Sequence, residues 1–331
     1  MTPIPPADEG MHEPTDDPQF NESMYFNFVD ADSGFATLVR MGNRVNEGHA
    51  EVTAIAYLPG GGAAVHFERA PIKSNDAFDA AGLRFEIADP LVRARVLFDG
   101  DAHQLRHGTD LADPKKAFST SPVVPMKLEL DYDTIRLHGM GGSQDGLGGL
   151  AGGEDAIATG HYQGPCKVSG TVTIDDTEWS VDGLGFRDHS WGPRRWQGPS
   201  WWRWISCLCD DRNGFVGWVS KIGDTVTPPT GMVLRDGRLS LVRDLTISST
   251  YGVEPPHYPE TVDLVLRTDD GEFHATGEAF ALVPLRHRRE GTVARLSELL
   301  FNYEFEGLKG HGISEYHDLM LDGVPAGREE A

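Results

Sequence analysis

Asp188 and His189 are adjacent residues whose types suggest proton chemistry. A carboxylate and an imidazole can each act as a general acid or base. They lie within Gly183-Leu184-Gly185-Phe186-Arg187-Asp188-His189-Ser190-Trp191-Gly192. Extended, this segment puts Arg187, His189 and Trp191 on one face and Phe186, Asp188 and Ser190 on the other. Asp188 and His189 therefore do not bond each other directly in a regular strand. The structural alternative has equal weight: Asp188 accepts hydrogen bonds from Arg187, an indole or backbone amides and locks a junction. Gly183, Gly185 and Gly192 let the backbone bend or approach a neighbour closely.

All the tryptophans fall in the same region: Trp179, Trp191, Trp196, Trp201, Trp202, Trp204 and Trp218. An indole offers a broad apolar face, an N–H donor and an electron-rich ring. Together with Phe186, the residues Trp191, Trp196, Trp201, Trp202, Trp204 and Trp218 are candidates to wall a pocket for a bulky hydrophobic ligand. Their faces could also stabilise a developing cation. The same rings could equally form a hydrophobic seam between two β units. Arg194 and Arg195 follow closely enough to pair with carboxylates, although arginines more often sit at a solvated rim.

Other reactive residue types carry less. His66, His161-Tyr162 and Glu315-Tyr316-His317 are polar residues in apolar runs, where a lone histidine is usually a satisfied structural residue. Cys207 and Cys209 share a face of a strand, but two thiols without further ligands make a poor zinc site. With Cys166 they read as reduced core cysteines, and neither a metal nor a cofactor is expected. No Gly-x-Ser-x-Gly or His-Glu-x-x-His occurs, which removes support for serine hydrolases and zincins. The glycine-rich stretch 139–153 lacks the closing Lys-Ser or Lys-Thr and the helix of a phosphate-binding loop, so it reads as a flexible loop.

The elements that position these residues are strands. Lys127-Leu128-Glu129-Leu130-Asp131-Tyr132 alternates polar and apolar residues, as does most of 262–267. That period marks strands with one buried face. Similar runs cover 24–29, 35–40, 51–58, 63–67, 83–87, 92–98, 171–174, 201–209, 215–220, 231–234 and 272–283. Asp236-Gly237 reads as a two-residue hairpin turn, and Asp269-Asp270-Gly271 and Pro59-Gly60-Gly61-Gly62 as further turns. Val293–Leu300 is the one candidate helix, and it fits a strand equally well. Many short strands with few helices imply an all-β fold, a sandwich or a barrel.

The chain has 331 residues and a formal charge of −22, from 29 basic and 51 acidic residues. An acidic chain repels nucleic acid and anionic lipid. No run approaches the roughly 18 apolar residues of a membrane helix. The first residues lack the basic start and apolar stretch of a secretory signal. The expectation is a cytoplasmic protein with a small hydrophobic substrate as its partner, no nucleic acid and no membrane insertion; homo-oligomerisation is left open. The expected organisation is a disordered leader over 1–20, β domains over 21–187 and 188–322, and a tail over 323–331.

The segment 183–192 resembles the Gly-x-Gly-Tyr-x-Asp-His-x-Trp-Gly segment of the carotenoid 1,2-hydratase (hydroxyneurosporene synthase) superfamily, which includes lipocalin-like Diels–Alderases. His161-Tyr162 through Val181-Asp182-Gly183 and Asn21-Glu22-Ser23-Met24-Tyr25-Phe26-Asn27-Phe28 resemble its flanking context. The resemblance implies two tandem lipocalin-like β-barrel or β-sandwich units with the motif near their junction. It also implies chemistry on hydrophobic, often isoprenoid or polyketide molecules, with Asp188 and His189 as the motif's Asp-His pair and Trp191 beside them. Phe186 stands where the pattern has tyrosine, and Arg187 directly precedes Asp188, where a cation would lower the carboxyl pKa. The expected activity is that of a cofactor-independent hydratase, dehydratase or isomerase on a terpenoid-like substrate. It would work by proton transfer and an aromatic-stabilised cation. The alternatives are a pericyclic cyclase and a non-catalytic carrier of hydrophobic ligands.

Overall fold

Alternation of polar and apolar side chains runs through most of the chain, and the backbone follows it into strands. The structure is a computed structural model and describes residues 4–139, 157–252 and 257–327. It divides after Arg194 into two units. The first contains β1 (Phe20–Asp30), β2 (Phe35–Arg44), β3 (His49–Tyr57), β4 (Ala63–Pro71), β5 (Leu83–Asp89), β6 (Arg93–Leu105), β7 (Val123–Thr134), β8 (Gly160–Ile174) and β9 (Thr177–Pro193). They form one antiparallel sheet in the order β4-β3-β2-β1-β9-β8-β7-β6-β5. β4 also pairs with β6 through Ala63–Leu105, Ala64–Gln104 and Val65–His103, so the path of pairings returns on itself. The enclosed face carries a core that includes Phe26, Phe28, Val52, Phe85, Leu128 and Tyr132.

The second unit repeats this plan. β10 (Pro199–Asp210), β11 (Asn213–Ile222), β12 (Thr230–Arg235), β13 (Arg238–Tyr251), β14 (Pro259–Thr268), β15 (Gly271–Arg289), β16 (Thr292–Phe305) and β17 (Leu308–Leu321) pair in sequence order. β17 pairs back to β10. Trp201, Phe215, Leu245, Leu264, Phe301 and Phe305 belong to its core. The protein is thus all-β, with two large antiparallel sheets. No described helix is long and apolar enough to cross a membrane.

Local chemistry explains the joints. Asp236 and Gly237 take φ of 52° and 79°, the left-handed pair of the hairpin turn read from their types. Gly185 lies so close to β1 that a Cβ there would fall 1.8 Å from the Asn27 carbonyl oxygen. Two adjacent strands can approach that closely only where one has no side chain.

Three expectations are corrected. Residues 4–19 are not a disordered leader: Pro6–Glu9 is a 3₁₀ helix, and Glu9 is only 2% exposed. A buried carboxylate needs a cationic partner, which ties this segment to the first unit. The division falls after Arg194 rather than after Arg187, because β9 runs unbroken to Pro193 and carries the whole motif in the first unit. Of the expected tail, Val324–Pro325 pairs with Met320–Leu321 and Gly327 bonds to Asp318. Of the two readings of Val293–Leu300 the strand holds, within β16, because both its neighbours pair with it along its length. A short helix that hydrophobic periodicity did not reveal, Pro114–Thr120, begins where Asp113 caps Lys116 N–H. Residues 140–153 of the glycine-rich stretch lie outside the described residues.

Candidate functional site

β9 brings the motif into the enclosed face of the first unit. His189 lies opposite Met24 of β1 and Tyr162 of β8, while Arg187 lies opposite Phe26. The alternation read from the sequence holds: Arg187, His189 and Trp191 share the inner face. So do Glu22, Met24 and Phe26, which occupy alternate positions of β1.

His189 is fully buried. Its Nε2 lies 2.6 Å from Glu22 Oε1. Glu22 is also fully buried, and burial pushes its carboxyl pKa up. Hydrogen bonds from His12 and His189, with the positive charge those rings can carry, outweigh that and hold it below the ordinary value of 4.5. An ionised Glu22 accepts a hydrogen bond from Nε2, so Nδ1 is the ring nitrogen that faces another partner. The Tyr162 hydroxyl lies 3.4 Å from that Nδ1. Burial raises the Tyr162 pKa well above 10, so the hydroxyl keeps its proton and can donate it to Nδ1.

His12 completes the group from the 4–19 segment. Its Nδ1 is 2.8 Å from Glu22 Oε1, and its ring stacks on Trp191 with centroids 3.8 Å apart. Phe78 packs its edge to His189 at 5.8 Å. Below them Arg187, 0% exposed, donates through Nη2 to Glu9 and, at 3.4 Å, to Tyr162. Burial opposes its charge, but the Glu9 carboxylate bonded to it helps outweigh that and its pKa is raised, so it stays cationic.

The nitrogens of His12 and His189 and the Glu22 carboxylate lie within 4.8 Å of one another, the group among the described residues that could hold a metal ion. Two imidazoles and a carboxylate suit a divalent first-row cation. Here, however, one oxygen already accepts both nitrogens at hydrogen-bond distance. The three side chains thus form a hydrogen-bonded triad.

The remaining candidates lie elsewhere. Asp188 is on the opposite face of β9 from His189, 3.8 Å from His161. The cation preceding it, Arg187, lies on the other face of the strand and pairs with Glu9. Burial, with repulsion from Arg194, His138 and His189, lowers the His161 pKa to about 3. Phe186 shares the Asp188 face and is buried. Among the tryptophans, Trp179 and Trp191 belong to the first unit and Trp196, Trp201, Trp202, Trp204 and Trp218 to the second. Trp202 stacks on His317 at 3.7 Å and bonds to Glu315, and Trp196 stacks on His287 at 4.0 Å. Trp204 lies opposite Trp218, and Trp201 sits in the second core under Arg203. Each of these rings has a packing role within its own unit.

Sequence reasoning missed Glu9 and His12, which it assigned to a leader, and the role of Glu22. The available signal for Glu22 was its phase: it shares a strand face with Met24, Phe26 and Phe28, and a carboxylate in such company needs a partner.

The chain belongs to the family described as a domain of unknown function (DUF7064), which matches residues 5–320. No curated protein sequence matches it. Among solved structures, CghA with Sch210972 is similar at 12% identity and TM-score 0.59, covering 99% of this chain and 96% of that one. An AttH candidate from Nitrosomonas europaea is similar at 13% identity and TM-score 0.58, over 96% and 98% of the two chains. Kievitone hydratase from Nectria haematococca is similar at 11% identity and TM-score 0.54, over 92% of each. At these identities the likeness is one of fold, and that fold is shared with a hydratase.

Proposed function

We propose that this member of the DUF7064 family is a cofactor-independent hydro-lyase or isomerase for a small hydrophobic, terpenoid-like molecule. Its chemistry is placed inside the first unit, whose returning path of strands we read as a lipocalin-like barrel. The observation that carries the proposal is the buried chain Glu22–His189–Tyr162. A carboxylate that fixes one imidazole nitrogen and leaves the other facing a hydroxyl is an arrangement for moving protons. Surrounding rings, including Phe26, Phe78 and Tyr132, exclude water and strengthen these interactions.

In this mechanism His189 Nδ1, directly or through the Tyr162 hydroxyl, takes a proton from water or a substrate C–H. It returns that proton to the carbon beside the new C–O bond in hydration, to the departing hydroxyl in the reverse reaction, and to the far carbon of the allylic unit in double-bond migration. Addition of water to a double bond, its reverse, and migration of a double bond all fit this exchange. Glu22 holds the ring orientation and balances the imidazolium. His189 is the proton-transferring residue in this scheme. Asp188, on the other face beside His161, is assigned no proton transfer in this scheme. Of the tryptophans only Trp191 is assigned to the substrate. The family name of the hydratase of shared fold agrees with this class of reaction.

The test is incubation with prenylated aromatics, unsaturated ketones and tertiary alcohols in H₂¹⁸O and in D₂O, read by mass spectrometry. Glu22→Gln and His189→Gln should lower label incorporation by about a hundredfold or more while circular dichroism stays unchanged. Asp188→Asn should stay within about threefold of wild type. Full turnover in both first-named variants would defeat the acid–base reading and leave a pocket that only shapes or carries its ligand.

A further inference from the structure

Each unit buries one arginine completely, and the two differ in how far they are satisfied. In the second unit Arg203 donates through Nη1 to the Trp202 and His317 carbonyls and through Nη2 to Asp318 and the Gly327 carbonyl, at 2.7 to 3.1 Å. It ties strands and chain end together and has little left to offer. In the first unit Arg187 spends Nη2 on Glu9 and Tyr162, while Nε and Nη1 are buried and meet no acceptor among the described residues. Its guanidinium lies over the rings of Phe26, 5.5 Å away, and Tyr162, 5.8 Å away. Buried donors are costly to leave unmade, and an N–H of a charged guanidinium makes a strong hydrogen bond to a carbonyl or carboxylate oxygen.

We propose that Arg187 is a substrate-binding residue and that the substrate carries an acceptor oxygen, a carbonyl or a carboxylate, on its hydrophobic body. This deepens the reading of the first unit as an acid–base site and rests on it for the reaction. The oxygen would dock on one of the two unmet donors, Nη1 or Nε, within reach of the Tyr162 hydroxyl that both Arg187 and His189 touch. The sign of the charge then selects the chemistry. A carbocation formed beside a buried guanidinium is repelled, whereas an enolate is stabilised. For an α,β-unsaturated ketone the steps balance without any co-reactant but water. His189 Nδ1 takes a proton from water, the hydroxide oxygen bonds to the β-carbon, and the double-bond electrons move to the carbonyl oxygen at Arg187. The enolate then collapses as the imidazolium returns the proton to the α-carbon.

The test is binding, followed by tryptophan fluorescence and calorimetry, with three probes of one shape. They are 4-phenyl-3-buten-2-one, trans-cinnamate, and the hydrocarbon 3-methyl-1-phenyl-1,3-butadiene, in which a methylene replaces the carbonyl oxygen. The wild type should bind at least one of the oxygenated probes about tenfold or more tightly than the hydrocarbon. Preference for the ketone identifies a carbonyl, preference for cinnamate a carboxylate. The double variant Arg187→Met/Glu9→Gln, which removes the ion pair without orphaning a charge, should bind the hydrocarbon as before. Its preference should shrink to about twofold or less. Should that variant not fold, Arg187→Lys keeps the charge but not the fixed direction of the guanidinium N–H groups, and the preference should drop by about fivefold. Equal binding of all probes by the wild type, no binding of any, or a preference that survives both substitutions overturns the proposal. Glu22→Gln should leave the preference intact while stopping turnover, so failure of the acid–base reading and failure of the oxygen anchor give different results.

Discussion

Replacing Glu22 by Gln keeps the shape of the side chain and removes its charge. In the wild type, Oε1 accepts from His189 at 2.6 Å and from the His12 ring at 2.8 Å. The other oxygen accepts from the His12 backbone N–H at 3.2 Å and from Asn75 at 3.4 Å. Hydrogen bonds to a charged group contribute about 1.5–3 kcal/mol, against about 1 kcal/mol for neutral ones. The glutamine carbonyl can keep one imidazole at neutral strength, while its NH₂ meets donors where the carboxylate met them as an acceptor. One lost and one weakened bond amount to about 2–4 kcal/mol at pH 7. At roughly 2–4 °C per kcal/mol for a unit of this size, Tm should fall by about 10 °C.

The gap should also depend on pH. The Glu22 carboxyl lies below 4.5 when folded, so the unfolded chain binds its proton first as pH falls. The stability it contributes is complete above about pH 4.5 and is lost as pH drops through the folded value. Gln has no such titration, so wild type and variant should converge in acid. Thermal unfolding followed by near-UV circular dichroism at pH 7, 5 and 3.5 measures both effects. A Tm within about 1 °C of wild type at pH 7, or a gap that does not narrow in acid, would refute the charge-assisted triad.

Gly185→Ala places a methyl 1.8 Å from the Asn27 carbonyl oxygen. It should destabilise the first unit by about 3 kcal/mol or more, seen as a lower urea midpoint. His161, held neutral to about pH 3, makes stability fall from about pH 6.5 downward, because the unfolded imidazole takes a proton that the folded one refuses. The slope is about 1.4 kcal/mol per pH unit, and His161→Gln should flatten that limb of the pH–stability curve. Trp202→Phe weakens the stack on His317 and loses the bond to Glu315. It should cost the second unit about 2 kcal/mol and leave probe affinity unchanged; a tenfold affinity loss would make Trp202 a substrate residue after all. Dialysis against EDTA should move Tm by less than about 1 °C, whereas a larger drop would assign His12, Glu22 and His189 to a metal.

Much of this protein follows from local chemistry. Period-two alternation depends only on neighbouring side chains and a pleated backbone, so the strands and the turn at Asp236-Gly237 could be read directly. The same rule put Arg187, His189 and Trp191 on one face and Asp188 on the other. What covers that face was not legible. His189 and Glu22 are 167 residues apart and Arg187 and Glu9 are 178 apart, and no local pattern records which strands become neighbours. Pairing order and register decide it, and they are set by the burial of whole faces rather than by any one residue. Tertiary structure likewise turned the acidic first residues from an apparent leader into the source of Glu9 and His12. It divided the clustered tryptophans between two cores, since a chain crossing from one sheet to the next carries neighbouring residues into separate interiors. The adjacent Asp188-His189 pair was the feature nearest to chemistry in the sequence. In three dimensions only His189 lies in the buried triad, because adjacent residues of a strand point to opposite faces and a buried imidazole takes its partner from across the sheet.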